Sequence, residues 1–85
     1  MSDEKLSSNV MSLQEYTAVI MFRAKELDQG SFPLISNDLM LKYGYDPVKI
    51  AKHEIDHKML SINIVRELSG GVKETRNVRE LERFI

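Results

Sequence analysis

The apolar residues of this chain change their spacing sharply near residue 60, and that change restricts the fold more than any motif does. Up to Met59 they recur every three or four positions, whereas "LSINIVREL" from Leu60 to Leu68 alternates. A spacing of three to four places side chains on one face of a helix, and a spacing of two places them on one face of a strand. The chain must therefore build both. With 85 residues it has room for one core. The expected fold is α+β, with two main helices packed with a small antiparallel β-hairpin and a short C-terminal helix.

The first helix has a strong start signal. In "SLQE", Ser12 stands at the N-cap and Glu15 follows three residues later as a capping box, with Met11 and Tyr16 placed as a hydrophobic staple. Leu13, Tyr16, Ile20, Ala24 and Leu27 form the predicted core stripe, and Gly30 is expected to end the helix. Val19, Met21 and Phe22 point away from that line. They either meet a second surface or pack beneath the loop 31–45.

The second helix is predicted over "DPVKIAKHEIDHKM", with Asp46 as N-cap and Pro47 at the first helical position, where its missing N–H costs nothing. Val48, Ala51, Ile55 and Met59 form the expected inward face, and Lys49, His53 and His57 the outer one. The letters "HEIDH" match a zinc-protease signature, in which two histidines bind the metal and the glutamate acts as general base. No third ligand is suitably placed, and the helix soon gives way to a strand. Two solvated histidines near a helix C-terminus are the simpler reading. No metal or cofactor is expected.

In the strand, Leu60, Ile62, Ile64 and Leu68 share a face that Arg66 interrupts, so Arg66 needs a partner inside the domain or across an interface. "SGG" is turn chemistry and "VKETR" a returning strand. Asn77 then caps "VRELERFI", with Val78, Leu81 and Phe84 or Ile85 as its apolar stripe. Residues 1–9 carry little apolar content and are expected to be disordered, leaving 10–85 as a single domain.

Composition narrows the function. A formal net charge of −1 argues against a dedicated nucleic-acid binder. The chain has no cysteine, hence no disulfide framework, and its longest apolar run, "AVIMF", is too short to span a bilayer. "MSDEK" does not resemble a secretory signal, so an intracellular location is expected.

"RAKEL", "DPVKIAKHEI", "IVREL", the "GG" turn and "VREL", in that order and spacing, resemble the omega subunit family of DNA-dependent RNA polymerases. The likeness is greatest to its archaeal, eukaryotic and large-DNA-virus branch, the common sixth subunit, and it covers about residues 10 to 81. Glu15, Arg23, Ala24, Asp46, Pro47, Ile50, Ala51, Glu54, Ile64, Arg66, Gly71, Val78, Glu80 and Leu81 stand at positions this family usually keeps. Departures are Ala18 in place of an arginine, Met59-Leu60-Ser61 in place of Lys-Ile-Pro, Arg76 in place of an aromatic, and a longer interhelical loop. "SSNVMS" resembles homologues of large DNA viruses.

The resemblance implies a non-catalytic subunit that grips the largest polymerase subunit and helps it fold and assemble. Nucleotidyl transfer resides in the large subunits, DNA is met only through the complex, and neither a membrane nor a small-molecule substrate is involved. The implied location is the nucleus, a cytoplasmic viral factory or the virion for a viral protein, and the cytoplasm for an archaeal one. The implied interface comprises Glu15, Val19, Phe22, Arg23, Pro47, Glu54 and Arg66. For Arg23 a contact with that partner is favoured over an intramolecular ion pair, while the capping role of Glu15 needs no partner. The alternatives are a small zinc-dependent hydrolase using "HEIDH", and a free-standing regulatory or DNA-binding module.

Overall fold

The computed structural model describes residues 7–83. Its elements run α1 (Leu13–Asp28), α2 (Asn37–Lys42), α3 (Pro47–Asp56), β1 (Asn63–Glu67) and β2 (Lys73–Asn77). Two main helices and an antiparallel hairpin make the fold α+β.

α1 begins as the sequence predicts. Ser12 Oγ accepts from Glu15 N at 3.0 Å and Glu15 Oε1 accepts from Ser12 N at 3.0 Å, so each side chain satisfies a donor the helix leaves open. The helix ends at Asp28 and Gln29 caps it. Gly30, at φ 106°, lets Ser31 N reach Glu26 O, a Schellman closure that an L side chain would strain.

α3 uses the same device with a less suited residue. Lys58 sits at φ 55°, and Met59 N closes onto Glu54 O at 2.9 Å. A left-handed lysine carries no local signal, so the helix stops at Asp56, before the predicted end, and Met59 leaves the inward face. Asp46 and Pro47 take their expected places, with Val48 N donating to Asp46 Oδ1.

α1 packs on α3, and the hairpin covers their flank. Met11, Tyr16, Val19, Ile20, Ala24, Ala51, Ile55, Val78 and Leu81 form the core, with Leu27, Leu60, Ile62 and Ile64 packed against it. Three expected orientations are corrected, those of Leu13 and Val48, expected inward, and of Val19, expected to point away from the core stripe. Leu13 is exposed: it lies one turn before Tyr16, whose hydroxyl already meets Asp56, the last residue of α3. Val19 is buried because α1 is covered by the hairpin as well as by α3. On α3 the inward face is Ile50, Ala51, Glu54 and Ile55, and Val48 is exposed. A predicted face that includes Val48 and Met59 and leaves out Ile50 and Glu54 is rotated away from the true one.

β1 and β2 pair antiparallel from Asn63 with Asn77 to Glu67 with Lys73. Gly70 and Gly71, at φ 77° and 79°, supply the left-handed backbone of the turn. The predicted C-terminal helix is a single 3-10 turn, Val78–Glu80, which Asn77 caps through Arg79 N. The apolar stripe expected from Phe84 or Ile85 lies outside the described residues. The interhelical loop also holds the short helix α2, capped by Ser36. Of the nine N-terminal residues expected to be disordered, residues 1–6 lie outside the described residues. Ser7, Ser8 and Asn9 form a strap against the hairpin arginines.

Candidate partner interface

A groove of about 320 Å³ runs between α1 and β1, lined by Glu15, Ala18, Val19, Phe22 and the segment from Ile62 to Val65. Its helical wall comes from residues spaced by three and four, and its other wall from the segment that runs from Ile62 into the hairpin's first strand. Phe22 is 54% exposed and Val65 64% exposed on its rim, while Val19 forms the buried floor. Glu15, Val19 and Phe22, separately implicated by the sequence, therefore meet at one place. Arg66 reaches the groove through Glu15.

Arg66 and Glu15 form a two-bond ion pair. Arg66 Nε donates to Glu15 Oε2 at 2.8 Å and Nη2 to Oε1 at 2.9 Å, so one carboxylate, which also accepts from Ser12 N, both caps α1 and locks it to β1. The Arg66 guanidinium holds the Glu15 carboxyl below its ordinary value of 4.5, with burial opposing and the Ser12 backbone bond assisting. A depressed carboxyl contributes stability that is present above its unfolded value and lost as pH falls through the folded one. The stability gap between the native chain and Glu15→Gln is therefore expected to be largest near neutrality and to close on acidification. Urea midpoints taken from about pH 7 down to about pH 3 read this directly, and a gap unchanged across that range would contradict it.

Arg23 and Glu54, two of the residues expected to face a partner, face each other instead. Arg23 is 5% exposed and Glu54 0%. Arg23 Nε donates to Glu54 Oε1 at 2.6 Å and Nη2 to Oε2 at 3.2 Å, while Nη2 also reaches Phe32 O. Leu34 N donates to Glu54 Oε2 at 2.7 Å. The pair thus joins α1, α3 and the interhelical loop, and its hydrogen bonds go to groups within the chain. The intramolecular alternative for Arg23 is the arrangement realised here. Pro47 lies away from the groove, half-buried beside Met21 and Val48 in a shallow depression between α1 and α3.

This geometry also bears on "HEIDH". Its glutamate is the buried partner of Arg23, unable to reach a water at the histidine face. His53 and His57 stack with ring centroids 4.0 Å apart, His53 Nδ1 bonded to the Tyr43 hydroxyl and His57 Nδ1 to the His53 carbonyl. Among the described residues no group of three or more His, Cys, Asp or Glu side chains is placed to hold a metal ion.

Arg76 stands out in the sequence only as a departure from the family-like pattern, and its interior position is missed there. It is 1% exposed, donates from Nε to Glu80 Oε1 at 2.7 Å, and reaches the strap through both terminal nitrogens. The available signal was alternation. In the hairpin register Arg76 stands opposite Ile64 and Glu74 opposite Arg66, so both arginines lie on the inward face. Among the described residues, no buried side-chain nitrogen or oxygen lacks a hydrogen-bond partner.

No known protein-family profile matches the chain, and no curated protein matches it.

Proposed function

We propose that the chain is a non-catalytic small subunit of a multisubunit DNA-directed RNA polymerase, binding the largest subunit and promoting its folding, assembly and stability. The observation that carries this reading is the solvent-open apolar groove between α1 and β1, with Phe22 and Val65 on its rim. Such a surface gains free energy when covered by another chain, at about 25 cal/mol per Å² of apolar area removed from water. The order and spacing of the family-like residues support this choice of partner, and the groove is an apolar surface that another chain could cover. Arg23 and Glu54 serve in this reading by setting the angle of α1 against α3, and Arg66 by fixing β1 at the groove wall. DNA is met only through the assembled enzyme.

Affinity purification of the tagged chain from its native source, with mass spectrometry and an RNA synthesis assay on the eluate, tests the proposal. Both large polymerase subunits, with RNA synthesis, are the expected recovery. Recovery of the chain alone and folded would overturn it.

A further inference from the structure

The strap from Ser7 to Val10 is held to the hairpin without an apolar anchor. Ser7 is half-buried and Ser8, Asn9 and Val10 are exposed, and the first deeply buried side chain is Met11. Polar contacts hold it instead. Arg66 Nη1 donates to Ser7 Oγ at 2.7 Å and to Ser8 O at 2.6 Å. Arg76 Nη1 donates to Ser7 O at 3.1 Å, Ser7 Oγ at 3.0 Å and Ser8 O at 3.2 Å, and its Nη2 to Asn9 Oδ1 at 2.6 Å. The Ser7 hydroxyl donates its proton to the Glu74 carboxylate. Behind these contacts, Glu82 fixes the strap's far end by accepting from Met11 N and donating to Asn9 O.

We propose that Ser7 is a phosphorylation site that opens this strap. The modification acts on the open segment, where the hydroxyl is released from its three side-chain partners. Ser7 Oγ attacks the γ-phosphorus of a nucleoside triphosphate held by a protein kinase. The Oγ–P bond forms, the bond from phosphorus to the β,γ-bridging oxygen breaks, the nucleoside diphosphate leaves, and the hydroxyl proton passes to the kinase's base.

Once modified, the strap cannot close as before. The O–H that bonded Glu74 is gone, and phosphate oxygens of like charge would face that carboxylate. The arginines are already committed, Arg66 to both oxygens of Glu15 and Arg76 to Glu80 and, at 3.6 Å, to Glu74, with their other contacts on strap oxygens. Loss of the strap turns the most deeply buried arginine of the fold into a surface cation.

The test uses the full chain with phosphoserine incorporated at position 7, and reads labelling of Arg76 by phenylglyoxal through peptide mass spectrometry. Arg76 is expected to label about tenfold faster than in the unmodified chain, as for a locally opened segment. Phosphoserine at position 8, whose hydroxyl oxygen accepts from Val10 N on the exposed side, is expected to leave the rate unchanged. Combining phosphoserine 7 with Glu74→Gln should slow Arg76 labelling again. Arg23, buried in its ion pair with Glu54, serves as the internal reference. An Arg76 rate at or below that of the unmodified chain would mean that the two guanidiniums capture the phosphate and tighten the strap, which overturns the proposal. Equal acceleration at Arg23 would mean global unfolding and overturns it as well.

Discussion

Glu54→Ala is expected to destabilise the fold by about 3–5 kcal/mol, because it leaves the Arg23 guanidinium buried without its counter-charge. The loss is compounded at Leu34 N, which donates to the same carboxylate and would lose its partner at the start of the interhelical loop. A domain of this size holds on the order of 4–13 kcal/mol in all, so the variant sits near the edge of folding. Urea unfolding followed by circular dichroism measures the change. A paired replacement, Arg23→Met with Glu54→Leu, removes both charges together and is expected to recover most of the stability, since apolar residues of similar volume often replace a buried pair at little cost. If Glu54→Ala costs less than about 1 kcal/mol, the value usual for an exposed pair, the pair is not the lock described here.

Phe22→Asp tests the groove and is expected to leave the isolated fold intact while abolishing recovery of the large polymerase subunits. Phe22 is 54% exposed and sits on the rim, so the free chain loses little apolar burial with it. A partner seated in the groove would instead have to bury a carboxylate where it had met an aromatic ring. Truncation of a central aromatic anchor alone commonly costs about 2–4 kcal/mol of binding, a factor of roughly 30 to 1,000. An added buried charge raises that cost. The measurement is the yield of large subunits co-purified with the variant relative to the native chain, together with an unfolding curve for each. Equal yields with equal stabilities would remove the groove from the interface.

These two residues were both legible in the sequence, yet for different reasons. Phe22 stood out because the first helix carries more apolar side chains than one stripe requires, which is a statement about periodicity. Glu54 stood out through a motif and a resemblance, and the resemblance set it towards a partner. Its actual position, inside the fold against Arg23, depends on two helices that are 31 residues apart in the chain at this contact. No local pattern reports such a pairing. The same holds for Arg76, whose burial depends on a strap 69 residues away and on the hairpin register.

What the sequence determined by itself was local. The capping box at Ser12 and Glu15, the Asp46-Pro47 start of α3 and the two-glycine turn at Gly70 and Gly71 each satisfy backbone groups or dihedral needs within a few residues. The change of period at Leu60 placed helices before it and the hairpin after it, and with that the α+β class. The tertiary structure alone decided which side chains face inward. Leu13 carries the helical phase of a core residue but lies beyond the reach of α3, and Val19, off the predicted stripe, is covered by the hairpin. Glu54 and Arg76 are charged side chains that become interior residues because neighbouring elements bring donors and acceptors to every one of their buried polar atoms. Burial of a charge is set by the partner that reaches it, and that partner comes from another part of the chain.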